Sequence, residues 1–191
     1  MHFTLADLVT DITQNGAESG GDVIELMILE NHDSLETASR GKGEFRFTVK
    51  DNGKGMTEEE LKRAQDPFVT DGIKHPNRKV GLGIPFLMQT AESSGGGWKM
   101  DSSKGKGTEV SAWFDLGNVD TPPLGDITGM IRTILLLEGP KEIVIHRIRV
   151  SSGGSLDYHV RKTELISALG SLEDTQSLIL LDQYLRSQEG S

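Results

Sequence analysis

The strongest constraint in this chain is an alternating apolar run that ends in an acidic turn broken by glycines. Phe45, Phe47 and Val49 alternate with polar residues and lead into Asp51-Asn52-Gly53-Lys54-Gly55-Met56. A polar, helix-favouring run, Thr57-Glu58-Glu59-Glu60-Leu61, comes next. Period-two alternation predicts a half-buried strand. The two glycines let the chain turn sharply and let a ligand's flat face approach the backbone closely. A carboxylate at such a strand end is placed to accept a hydrogen bond from a bound group. The same pattern also describes an ordinary glycine-rich turn after an edge strand, so the rest of the chain has to decide.

Bulk properties narrow the field. The 191 residues suffice for one domain, or one domain with an appendage. Apolar residues make up 35% and charged residues 26%, an ordinary globular balance. A net charge of −9 argues against phosphate-gripping nucleic-acid binding and against a polybasic membrane patch. With no cysteine, a disulfide framework and a thiolate zinc site are both excluded. The N-terminus lacks the basic and apolar regions of a secretory signal. The longest apolar run, Ile134 to Leu137, is too short to span a bilayer. A cytoplasmic location is the expectation.

Periodicity predicts a helix over residues 5–18, with Leu5, Leu8, Val9 and Ile12 on one face. Strands are predicted over 23–29 and 43–50, a short helix over 57–64, a long irregular stretch over 66–79 and a helix over 81–93. Two further strands fall at 98–102 and 108–116. Residues 118–123, with Pro122 and Pro123, read as a linker. Beyond it come an amphipathic helix over 126–138, a hairpin of 142–150 with 156–161, a short helix over 163–169 and a last helix through Arg186. Ser171 and Asp174 have the spacing of a capping box for that last helix.

Three more features accompany the Asp51 turn. Asp11 and Asn15 are four residues apart and share a helix face, with Glu18 extending the polar ridge. Val80-Gly81-Leu82-Gly83-Ile84 is a glycine-rich turn feeding a helix, whose N–H groups and dipole suit an anion. Gly105-Lys106-Gly107-Thr108 opens a strand. Each alone has a bland explanation as a solvated helix face, a flexible helix start or a plain hairpin turn.

Taken in order, the four resemble the boxes of the GHKL ATP-binding superfamily, which includes gyrase B, heat-shock chaperones, MutL and the catalytic domains of histidine kinases. Asp11 to Ser19 resembles the N-box, Asp51 to Met56 the first glycine box, Gly81 to Ile84 the second and Gly105 to Thr108 the last. Asp66-Pro67-Phe68 resembles a segment of histidine kinases. The resemblance covers roughly residues 1–117. It implies an α/β two-layer sandwich of mixed, largely antiparallel sheet and helices (the Bergerat-type ATP-binding fold), followed by a small α+β extension over 118–191 of unassigned role.

The resemblance also implies roles. Asn15 would coordinate Mg²⁺ through its amide oxygen. Asp51 would accept the exocyclic amine of adenine, with Gly53, Gly55 and Met56 against the base and Thr108 joining the Asp51 network. Gly81, Leu82 and Gly83 would face the phosphates. The 66–79 stretch would be the lid, with Lys74, His75, Arg78 and Lys79 able to bring a cation to the γ-phosphate; Lys79 is the one carried forward as a binding residue. Asp11 would be the catalytic base. Hydrolysing members of the superfamily usually carry Glu there, and Asp reaches about 1.5 Å less far.

None of His2, His32, His75, His146 and His159 lies in a phosphoacceptor pattern, and the ten residues before Asp11 leave no room for a dimerisation helix pair, so phosphoryl transfer is expected to need a partner in trans. His146 and His159 sit in the predicted hairpin, read either as a phosphoacceptor or metal pair or as ordinary strand histidines. The expected function is therefore ATP-Mg²⁺ binding linked to ATPase activity or to phosphorylation of a separate protein partner. The alternative is a nucleotide-sensing regulatory or adaptor module without turnover. ATP or ADP and a protein partner in trans are the expected partners; the apolar helices and hairpin after residue 120 can pack on the ATP-binding domain or on another subunit, the latter giving a homodimer.

Overall fold

The structure is a computed structural model and describes residues 3–33, 43–66 and 83–190. Six strands form one mixed sheet: β1 (Val23–Asn31), β2 (Glu44–Asp51), β3 (Gly97–Ser103), β4 (Gly107–Asp115), β5 (Glu142–Val150) and β6 (Leu156–Arg161). Their spatial order is β3-β4-β2-β1-β5-β6. Every neighbouring pair is antiparallel except β1 with β5. Among the described residues, six helices accompany the sheet: α1 (Leu5–Glu18), α2 (Glu58–Ala64), α3 (Gly83–Ser93), α4 (Ile127–Leu135), α5 (Lys162–Leu169) and α6 (Thr175–Glu189). The α/β sandwich expected from the sequence is the observed fold. No helix among the described residues is long and apolar enough to cross a membrane.

Strand alternation builds the core. Ile24, Leu26 and Ile28 of β1, Phe45, Phe47 and Val49 of β2, and Val110, Ala112 and Phe114 of β4 point to one side and are buried. The Phe47 and Phe114 rings stack, with centroids 6.3 Å apart. Leu5, Leu8, Val9 and Ile12 of α1 close over this layer, as their helical spacing requires. A capping box fixes the start of α1: Thr4 accepts from the Asp7 amide, and the Asp7 carboxylate accepts from the Thr4 amide.

The segment read as a linker does more than connect. The Leu5 and Ala6 amides donate to the carbonyls of Pro123 and Leu124, at 2.9 Å each. Two first-turn N–H groups of α1, which have no partner inside the helix, are satisfied by this strap. Beyond it, β5 adds to β1 in parallel and β6 extends the sheet, so residues after 118 complete the same sheet and core. Helix α4 stops at Leu135, three residues earlier than its apolar pattern predicts. The Leu136 and Leu137 amides tighten onto carbonyls of the last turn, ahead of Gly139 in the left-handed region and Pro140. The cap of α6 also differs from expectation. Asp174 is the N-cap and accepts from the Ser177 amide, while Ser171 accepts from Glu173 and takes no part.

The β1–β5–β6 end of the covered face holds buried charge in place of aliphatics. Arg147 is fully buried; its guanidinium bonds to Glu30 of β1 and, at 3.2 Å, to Glu189 at the end of α6. Tyr158 donates to the same Glu189 oxygen at 2.7 Å, and Arg149 reaches the Glu189 carbonyl at 3.2 Å. Burial, then the hydrogen bond to Glu189, pushes the Tyr158 hydroxyl far above its ordinary range. Burial also pushes Glu30 up, but the His32 ring at 2.5 Å and the Arg147 guanidinium outweigh it, holding the carboxyl below its ordinary 4.5.

A group with a depressed folded pKa contributes stability that is complete above its unfolded value and lost as pH falls through the folded one. The urea midpoint should therefore drop as pH falls below about 4.5. Glu30→Gln should flatten that part of the pH profile. It should also cost roughly 3–5 kcal/mol at neutral pH, because Arg147 loses a buried partner. Urea titrations of both proteins across pH give the comparison.

Candidate nucleotide site

Asp51 is the last residue of β2, where the register pairs it with Ile24 of β1 and Thr108 of β4. Its side chain is only 6% exposed, on the covered side of the sheet beneath the C-terminal end of α1. Two donors converge on its Oδ1: the Ser19 hydroxyl at 2.7 Å and the Gly53 amide at 2.8 Å. A carboxylate held this way is fixed in one orientation.

The glycine turn is sewn down on both sides. The Lys54 amide donates to the Ser19 carbonyl, and the Lys54 carbonyl accepts from the Gly105 amide at 2.7 Å. The Asn52 side chain accepts from the Val23 amide at 2.9 Å. A Cβ on Gly53 would lie 1.8 Å from the Ser19 hydroxyl. Gly55 has φ +57, and a Cβ there would lie 1.9 Å from the Ser103 carbonyl oxygen. Both positions need glycine for close approach, Gly55 for its conformation as well.

Thr108 enters through a residue that sequence reading missed. The Ser102 hydroxyl accepts from the Met56 amide at 2.9 Å, lies 2.9 Å from the Thr108 hydroxyl and donates to the Gly107 carbonyl at 3.0 Å. Because its one hydrogen goes to Gly107, Ser102 accepts from Thr108, leaving the Thr108 oxygen as an acceptor toward the cleft.

The cleft is lined by Asn15, Gly16 and Glu18 of α1 and its C-cap Ser19, by Asp51, Lys54, Gly55 and Met56, by Ile84 of α3, and by Thr108 and Val110 of β4. Ile12, Val49 and Met100 add apolar lining. The structure thus brings together Asn15, Asp51, Gly55, Met56 and Thr108, with Gly53 directly behind the carboxylate. Gly83 opens α3 beside Asn15, where an added Cβ would come to 3.4 Å from the Asn15 amide nitrogen. Lys79, Gly81 and Leu82 lie outside the described residues, as do Pro67, Phe68, Lys74, His75 and Arg78. Asp11 is exposed one turn before Asn15 and does not line the cleft. Partial burial, with the like charge of Asp7 one turn away, raises its carboxyl above the ordinary 3.8.

Ser19, Ser102 and Lys54 were not singled out from the sequence. Ser19 follows Asn15 by one helical turn, a signal that was readable. Ser102 is placed only by its cross-strand register with Thr108.

The sequence pattern of a family described as "Histidine kinase-, DNA gyrase B-, and HSP90-like ATPase" matches residues 3–118, more than half of the chain. The chain belongs to this family. Its class is accordingly ATP-binding, of the histidine kinase-like ATPase type. Among solved structures, the fold is similar to one described as the "Crystal Structure of N terminal domain of a DNA repair protein". That likeness has a TM-score of 0.51 at 11% identity and covers 92% of this chain, more than residues 3–118 contain. The chain spans 58% of that protein's chain.

Gly55→Ala should lower stability by about 1–3 kcal/mol from backbone conformation alone, with the clash against Ser103 added. Thermal unfolding measures the loss, and an unchanged melting temperature would contradict the packing described for this turn.

Proposed function

We propose that residues 1–117 bind ATP with Mg²⁺ in the cleft between α1, the Asp51 turn and α3, with residues 118–191 completing the sheet that supports it. The bound ATP is hydrolysed to ADP and phosphate, or its γ-phosphoryl group passes to a separate protein partner and leaves ADP. The observation that carries this reading is the seating of Asp51. Its described donors both fall on Oδ1, so Oδ2 is the oxygen that accepts an adenine amine. Guanine presents a carbonyl at the corresponding position and would be repelled. The Thr108 oxygen adds an acceptor beside Asp51, while Gly55 and Met56 pack against the base.

At the other end of the cleft, Asn15 sits beside the first turn of α3, where helix N–H groups and the helix dipole favour phosphate oxygens. An amide oxygen at a phosphate site suits Mg²⁺, which takes few protein ligands and completes its shell with water and phosphate. A side chain at Gly83 would crowd Asn15, with its Cβ 3.4 Å from the amide nitrogen, so glycine there keeps the approach to Asn15 open. Lys79, Gly81 and Leu82 would contact the phosphates. When bound, Mg²⁺ would supply charge neutralisation on the transferred phosphoryl group, and Asp11 would be the base that orients water or an acceptor hydroxyl.

One observation favours a second reading, a nucleotide sensor without turnover: Asp11 stands outside the residues lining the cleft. Calorimetric titration with ATP and Mg²⁺, and with GTP as control, decides the binding step. Asp51→Asn should abolish ATP binding; retained affinity would reject the assignment of the site. Asp11→Ala should preserve binding and reduce ADP release by about 10²-fold or more. A wild-type protein that binds ATP and releases no ADP, alone or with partner proteins, would favour the sensor.

A further inference from the structure

The sheet has a second face, away from α1 and the nucleotide cleft, where β5 and β6 present a group of metal-ligating side chains. The register sets His146 directly opposite His159 and Ile148 opposite Asp157, so both histidines and the aspartate share this face. The two imidazoles stack with centroids 3.8 Å apart and planes 18° from parallel. His146 Nε2 lies 2.8 Å from Asp157 Oδ1. One nitrogen from each ring and one carboxylate oxygen all fall within 4.8 Å of one another.

We propose that His146, Asp157 and His159 form a binding site for a divalent transition-metal ion of the Zn²⁺ or Ni²⁺ kind, distinct from the nucleotide site. The donor set selects the class. Two imidazoles and one carboxylate suit these metals, whereas Mg²⁺ prefers oxygen donors throughout. Metal–ligand bonds of about 2.0–2.2 Å in a tetrahedral shell place donors roughly 3.3–3.5 Å apart. The three donor atoms lie within 4.8 Å of one another, so side-chain rotation has to close each gap by at most about 1.5 Å. The backbone needs no change, because hairpin pairing holds the three Cβ atoms on one face.

The surroundings agree. Val144 and Ile148 flank His146 along β5, and Met27 is its neighbour on β1. Arg161, the cation that follows on β6, is turned to Glu142 at 3.0 Å. An ordinary hydrogen bond explains the His146–Asp157 contact but assigns nothing to His159, whose described contact is the ring stack alone. A bound ion would engage all three once the two rings turn out of their stack, because imidazole donates in its own plane and near-parallel rings do not aim at one point. Three protein ligands leave a coordination position on an exposed sheet face, open to water or to a donor from another molecule.

The test uses the full, untagged chain, stripped with chelator and titrated with Zn²⁺ by calorimetry, with Mg²⁺ as the control. One equivalent of Zn²⁺ should bind, Mg²⁺ should not compete, and the side-chain resonances of His146 and His159 should shift together in NMR spectra. His146→Ala, Asp157→Ala and His159→Ala should each weaken binding by at least about tenfold, the loss expected when coordination is disturbed. His32→Ala and Asp51→Asn should leave it unchanged. His159 is exposed, so its removal leaves the fold intact, as an unchanged circular-dichroism spectrum would verify. Absence of saturable Zn²⁺ binding, or an equivalent that survives both histidine substitutions, would overturn the proposal.

Discussion

The close approach of the Asp51 turn to the end of α1 is the contact on which the rest of the site depends. Gly53 passes so near Ser19 that no side chain fits between them. That proximity allows one serine hydroxyl and one backbone amide to fix the same carboxylate oxygen. The Lys54 backbone then ties the turn to Ser19 on one side and to the β3–β4 turn on the other. Three segments distant in sequence meet over a few ångströms, and the cleft is the space left beside them.

Holding that approach in place is a task for the whole sheet. Helix α1 must lie at one height over β1 and β2, and its start is pinned by the strap through Pro123 and Leu124. On the far side of β1, the parallel β5 and its partner β6 extend the support. There the covered face turns from aliphatic to ionic, with Arg147 between Glu30 and Glu189. A buried charge group of this kind is weak evidence of net stabilisation. It does impose a register, because only one placement of α6 brings Glu189 to both Arg147 and Tyr158.

Much of this was legible from residue patterns. The helical spacing of Leu5, Leu8, Val9 and Ile12 and the alternation of Phe45, Phe47 and Val49 fixed which faces are buried. The glycines at 53 and 55 marked a turn that needs close approach, and the order of the boxes pointed to the family. Less legible were the stopping points of α4 and the cap of α6. Several residues there can end or begin a helix, and backbone bonding decides among them. The apparent linker at 118–123 looked like a boundary because prolines punctuate loops. Its role as a strap depends on N–H groups more than a hundred residues earlier in the chain.

By itself, then, the sequence determined what is local and periodic: the helices and strands, the inward residues, the acidic turn and the nucleotide chemistry that its family shares. Tertiary structure alone decided which distant groups meet. It chose Ser19 as the partner of Asp51, placed Ser102 under Thr108, joined β5 to β1 in parallel and stacked His146 on His159 with Asp157 beside them. The physical reason is that periodicity encodes the face a side chain presents, while its partner across a sheet is set by register. Register follows from the packing of the whole layer, which no short stretch of sequence contains.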